Sequence, residues 1–104
     1  MLRTAIAITG FSFLPFLSLA QGVGTPPNDY CEQGIPITCG AFVSGSTETA
    51  TEDAAPKCVT AVTAPGVWYT FTGLSGTVIL STCADHGYDT KINVYTGDCD
   101  DLIC

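Results

Sequence analysis

Basic residues are almost absent from this chain: three Lys and Arg stand against ten Asp and Glu in 104 residues, and His86 is the single histidine. So acidic a surface repels phosphate backbones and anionic headgroups, which argues against nucleic acid and charged lipid as partners. No two cysteines are spaced C-x-x-C, so the knuckle of a zinc site is missing. No N-x-S/T sequence occurs, since Asn28 precedes Asp29-Tyr30 and Asn93 precedes Val94-Tyr95, and N-glycosylation is not expected. Beyond Ala20 no segment carries a 3.6-residue apolar period with caps at both ends, which leaves no room for a sizeable helix.

What is present begins with a leader. Met1 to Ala20 combines a positive charge at Arg3, an apolar run from Ala5 to Leu19 and a small residue at Ala20, the pattern of a secretory signal peptide. Thr9, Gly10, Ser12, Pro15 and Ser18 interrupt that run, so it falls short of the roughly 20 continuous apolar residues of a membrane span. Residues 1–20 therefore read as a signal peptide cut after Ala20, residues 21–28 as a Gly/Pro-rich linker, and residues 29–104 as one small secreted domain. Without the leader, Lys57 and Lys91 are the only basic residues left, and no membrane insertion is expected after cleavage.

A domain of that size buries too little apolar surface to offset chain entropy comfortably and calls for staples. Six cysteines, Cys31, Cys39, Cys58, Cys83, Cys99 and Cys104, supply them, and in an oxidising compartment disulfides are their default state. Sequence does not select a connectivity. Proximity along the chain favours the sequential set Cys31–Cys39, Cys58–Cys83 and Cys99–Cys104.

The body of the chain is written in strands. VWYTFT (67–72), TVILST (77–82) and KINVYT (91–96) are β-branched and aromatic runs of about six residues, bounded by Gly- and Asp-rich breaks. The Gly73–Gly76 turn makes the first two antiparallel neighbours, 41–45 reads as an earlier strand, and Leu102–Cys104 begins a last one. Alternation places Val67, Tyr69 and Phe71 on one face of the first strand and Trp68, Thr70 and Thr72 on the other; in KINVYT it assigns Ile92 and Val94 to the core. The fold class is all-β. Four or five strands are fewer than the roughly seven of a complete sandwich, so the module reads as truncated at its C-terminal end.

The order PPNDYC, ITCGAFVSGSTETAT, PGVWYTF, VILSTC and YDTKINVYTGDCDDLIC resembles a repeated module of large secreted microbial proteins, similar to the pre-peptidase C-terminal domain. The resemblance spans Pro26 to Cys104 and is most specific at Asn28-Asp29, at Pro65-Gly66 before Trp68-Tyr69, and from Asp89-Thr90 through Val94-Tyr95 to Gly97 and Cys99. It implies an antiparallel, jelly-roll-like β-sandwich, stapled by disulfides, that works as a non-catalytic accessory or adhesion module.

Three kinds of site compete. Asp89, Asp98, Asp100 and Asp101 crowd the last strand and could hold calcium, which takes six to eight oxygens, although EF-hand spacing fails; the plainer reading is that they turn and solvate the chain. Trp68 and Tyr95 could stack on sugar rings, or fill the core as aromatics on strands usually do. His86 could act as base for Ser81 with Asp89 orienting it, yet a lone His in an acidic loop carries little weight, and GLSGT misses G-x-S-x-G by one place. The chain thus reads as a secreted non-catalytic module binding extracellular polysaccharide or protein, not an enzyme; a calcium-stiffened structural repeat is the alternative, and a small hydrolase ranks last.

Overall fold

The computed structural model describes residues 3–10, 24–58, 60–72, 75–82 and 89–104. Its described strands are β1 (Arg3–Gly10), β2 (Ile35–Ile37), β3 (Gly66–Thr72), β4 (Thr90–Asp98) and β5 (Asp101–Ile103), with a single 3-10 turn at Cys31–Gln33. They form one mixed sheet in the order β2-β3-β1-β4-β5. β1 is antiparallel to both β3 and β4, β5 is antiparallel to β4, and β2 alone runs parallel to its neighbour β3. The all-β expectation holds.

The segment read as the leader is the central strand. Its alternation sends Ala5, Ala7 and Thr9 to one face and Ile6 and Ile8 to the other, and Ala5, Ile6, Ala7 and Thr9 are all buried. Across the sheet Ala7 lies between Trp68 and Asn93, Ala5 between Thr70 and Tyr95, Ile6 between Tyr69 and Val94, and Ile8 between Val67 and Ile92. An apolar stretch that hydropathy assigns to a leader is equally able to be a strand buried on both faces, because in both roles the side chains leave water. Burying Ile6 contributes about 2 kcal/mol, and a full backbone ladder on each side satisfies the peptide groups.

Each face has its own core. On one, Ala5, Ala7, Trp68 and Tyr95 pack together with Cys31, Ala55, Cys58 and Leu102 around them. On the other, Ile6, Val67, Tyr69 and Phe71 form the centre, flanked by Ile8, Ile37, Leu80 and Ile92. The alternation read for β3 is therefore correct. In β4 it needs correcting: Val94 is 41% exposed while Asn93 and Tyr95 are buried, because Asn93 and Tyr95 share the face on which Trp68 and the 53–60 segment lie. Residues 41–45 and 77–82 are not strands; Val78 and Ile79 are exposed, and only Leu80 packs inward. Residues 73–74, half of the expected turn, lie outside the described residues.

The disulfides are Cys31–Cys99 and Cys58–Cys104, with Cα atoms 5.7 and 5.2 Å apart, and Cys39 is exposed with a free thiol; Cys83 lies outside the described residues. This overturns the sequential pairing. Cys31 sits beside β3 and Cys99 at the β4–β5 turn, so the bond joins the two halves of the sheet on the face that carries Ala5. In the loop-entropy model closing 68 residues restricts the unfolded chain by on the order of 4 kcal/mol in all, somewhat more than any sequential link would.

β5 follows a tight turn in which Asp98 pairs with Asp101 and Gly97 with Leu102. Gly97 has φ +95°, and a Cβ there would lie 2.5 Å from the Asp101 carbonyl oxygen. Gly97→Ala is expected to destabilise the domain by about 1–3 kcal/mol, read as a fall in Tm of the oxidised protein. Peptide mapping without reductant should recover the fragment pairs Cys31–Cys99 and Cys58–Cys104 and no Cys99–Cys104 loop.

Candidate functional site

Trp68 is the anchor of the polar side of the sheet. Its backbone N–H donates to the Asn28 carbonyl oxygen at 2.8 Å, and Asn28 Nδ2 donates back to the Trp68 carbonyl at 2.8 Å. Asn28, the last residue of the expected linker, is thereby buried and extends the edge that β2 occupies further along β3. The indole Nε1 donates to Asp53 Oδ1 at 2.8 Å. Asp29 next to Asn28 is fully buried and accepts two bonds from Thr51, from its N–H at 2.7 Å and its hydroxyl at 2.9 Å. Two inward carboxylates therefore hold the 51–53 segment against the sheet. Neither was singled out as a site from sequence; Asn28-Asp29 after two prolines was the visible signal, since Asx residues there bond the backbone of a neighbouring segment.

Tyr95 completes the arrangement. Its ring meets that of Trp68 at a centroid distance of 5.7 Å and an interplanar angle of 32°, and its hydroxyl donates to the Pro56 carbonyl at 2.8 Å. Trp68 is 2% exposed and Tyr95 is 0% exposed. Both rings are core, and neither presents a face on which a sugar could stack. The sequence reading of this pair as a glycan platform gives way to the packing one, because each polar tip finds an internal acceptor and each ring finds the other.

Burial raises the Asp53 pKa above its ordinary value; the indole hydrogen bond opposes the rise, the nearby Asp29 charge adds to it, and the Gly66 amide opposes it weakly. Its Oδ2 is buried without a well-formed hydrogen bond, as is Asn93 Nδ2, while Asn93 Oδ1 accepts a long bond of 3.4 Å from the Thr60 hydroxyl. Burial, and after it the Asp53 charge, also raises the Tyr95 pKa, so the phenol stays neutral and keeps donating to Pro56.

Asp89, Asp98, Asp100 and Asp101 are all exposed, and among the described residues no three His, Cys, Asp or Glu side chains gather as metal ligands. The four aspartates do not converge: Asp98 and Asp101 are cross-strand partners at the β4–β5 turn, with Asp100 inside the turn and Asp89 at the far end of β4. His86 lies outside the described residues, and Ser81 is exposed.

The opposite face carries an open cleft of about 400 Å³. Its floor is the sheet, with Ile6, Ile8, Val67, Tyr69 and Ile92; its walls are residues 41–45 and 79–82. A Cβ at Gly45 would lie 2.7 Å from the Tyr69 hydroxyl, so one wall comes down onto the sheet at a glycine. Phe42 at 88% and Ile79 at 89% exposure stand on the rim. Sequence reasoning took both segments for strands and missed them as walls; the exposed apolar side chains are a consequence of loops that neither pair nor fold inward.

Because Asp53 holds its proton more tightly folded than unfolded, stability falls as pH rises from the ordinary aspartate value of 3.8 through the raised pKa of the folded state, and levels off above it. Asp53→Asn keeps an oxygen acceptor for the indole and removes this titration. A pH series of Tm is expected to fall less for the variant than for the parent between pH 3.8 and the plateau, and to run parallel to it above.

Comparison with protein-family models, curated proteins and solved structures returns no match to this chain.

Proposed function

We propose that the chain is a secreted, non-catalytic binding module of sandwich type, similar to the pre-peptidase C-terminal domain, and that its partner is an extracellular protein. The observation that carries the reading is the apolar cleft: two large side chains, Phe42 and Ile79, stand almost wholly in water above a floor of Val67, Tyr69 and Ile92. Exposed apolar side chains rimming a concave apolar surface mark an interaction site, since isolated solvation of both costs more than a shared contact. Two disulfides suit an oxidising exterior, and among the described residues no helix is long and apolar enough to cross a membrane.

A protein partner is favoured over a polysaccharide because the stacking aromatics are spent in the core, whereas the cleft is lined mainly by aliphatic groups, which match protein side chains better than sugar hydroxyls. The acidic surface would steer a basic partner toward the cleft, with an association rate that falls as salt is added.

The double substitution Phe42→Ser with Ile79→Ser removes rim side chains that make no core contact, so the fold is expected to survive with an unchanged Tm. Photo-crosslinking from position 42 in the medium of the producing cells should yield a protein adduct, and the double variant should bind that protein at least about tenfold more weakly. Retention on insoluble polysaccharide instead, undiminished in the variant, would replace this reading with a glycan-binding one.

A further inference from the structure

Among the described strands, β1 alone has two neighbours that are already joined to each other without it. Cys31–Cys99 ties the β3 side to the β4 side covalently, and Trp68 of β3 touches Tyr95 of β4 across it. Strands flanking a third lie about 9–10 Å apart, a distance their backbones cannot hydrogen-bond across. The bridges thus frame a slot one strand wide, and its walls select what fits. On one side the occupant must be small, because the rings of Trp68 and Tyr95 and the Cys31 sulfur pack over Ala5 and Ala7. On the other it must be β-branched or similarly bulky, because Ile6 and Ile8 fill the space among Val67, Tyr69 and Ile92. The ladder with β3 covers seven residue pairs from Arg3–Thr72 to Thr9–Gly66, and the ladder with β4 another seven from Thr4–Thr96 to Gly10–Thr90.

We propose that the gap between β3 and β4 is a strand-acceptor site: the leader fills it in the chain as synthesised, and once the leader is removed an extended segment of another polypeptide takes its place, antiparallel to both walls. The recognised chemistry is an alternation of small residues with β-branched ones over about seven positions. Main-chain hydrogen bonds on two sides supply affinity, and the alternating pockets supply selectivity. A central slot left empty would expose two unpaired strand edges and the apolar surfaces of Trp68, Tyr95 and Tyr69 at once, which drives it to take a strand. The slot's occupant supplies Ile6 and Ile8 to the floor of the cleft, but the inference makes no use of the rim residues Phe42 and Ile79; it rests on the reading of residues 1–20 as a leader cut after Ala20, and N-terminal sequencing of the secreted protein tests that premise separately.

The full chain, folded and oxidised, is cut between Ala20 and Gln21 and mixed with a fluorescent synthetic peptide of sequence RTAIAITG. Stoichiometric uptake of the peptide with release of residues 1–20, and binding more than about tenfold weaker for the peptide carrying Ala7→Leu, whose side chain would collide with the Trp68 ring, support the site. Three results overturn it: no exchange into the cut chain, equal binding of the parent and Ala7→Leu peptides, or dimers formed on release of the leader, which would make a second copy the occupant. Phe42 stands on the rim and not in the slot, so Phe42→Ser leaves peptide uptake unchanged while it weakens binding at the cleft, and loss of one activity is distinguishable from loss of the other.

Discussion

Two alanines set the geometry of this molecule. Ala5 and Ala7 lie on the strand between those that carry Trp68 and Tyr95 and pack with both rings, and their smallness lets rings from strands two places apart come within 5.7 Å. From that contact the rest of the polar side follows. The indole faces Asp53, the phenol faces Pro56, and the 51–58 segment is drawn over the sheet, where the Cys58–Cys104 disulfide fastens its end to the chain after β5. Any larger residue in the middle of β1 would push the rings apart and break both hydrogen bonds, since close-packed interiors transmit a volume change to every neighbour.

The acidic residues divide by position. Asp29 and Asp53 point inward and act as acceptors that fasten a loop to the sheet, one through Thr51 and the other through Trp68. They sit close enough for the charge of Asp29 to raise the Asp53 pKa, a small penalty set against the loop contacts they secure. The aspartates of the β4–β5 turn face water and contribute solubility and an edge that discourages further strand pairing. The two faces of one sheet thus carry different work: one is closed over by hydrogen-bonded loops, the other is left as an open apolar cleft.

The legible parts of the fold were those governed by local chemistry. Val67 to Thr72 and Lys91 to Thr96 are rich in β-branched and aromatic residues, and both are strands; the faces of the first are as its order dictates, whereas in the second Asn93 and Tyr95 rather than Val94 are buried. TVILST has the same composition and is not a strand, since strand formation needs a partner edge and the sheet has none free for it beside β3. The disulfides misled for a related reason. Sequence proximity measures loop length, while pairing depends on which cysteines the sheet brings within about 6 Å of each other, and β1 between β3 and β4 aligns Cys31 with Cys99. Of the candidate sites, Trp68 and Tyr95 were noticed for their size, and the structure gives them a packing role; Phe42 and Ile79, read as ordinary strand residues, became the exposed rim.

The sequence by itself determined an all-β chain, acidic and cysteine-bearing, and which residues of Val67–Thr72 share a face, because composition and period-two alternation act over a few neighbouring residues and need no knowledge of the rest. Only the tertiary structure decided which strand stands at the centre, which cysteines meet, that Asn93 and Tyr95 rather than Val94 face inward, and where the apolar cleft opens. Those outcomes depend on contacts between residues 40 to 92 positions apart, whose pairing is chosen by the fit of whole surfaces.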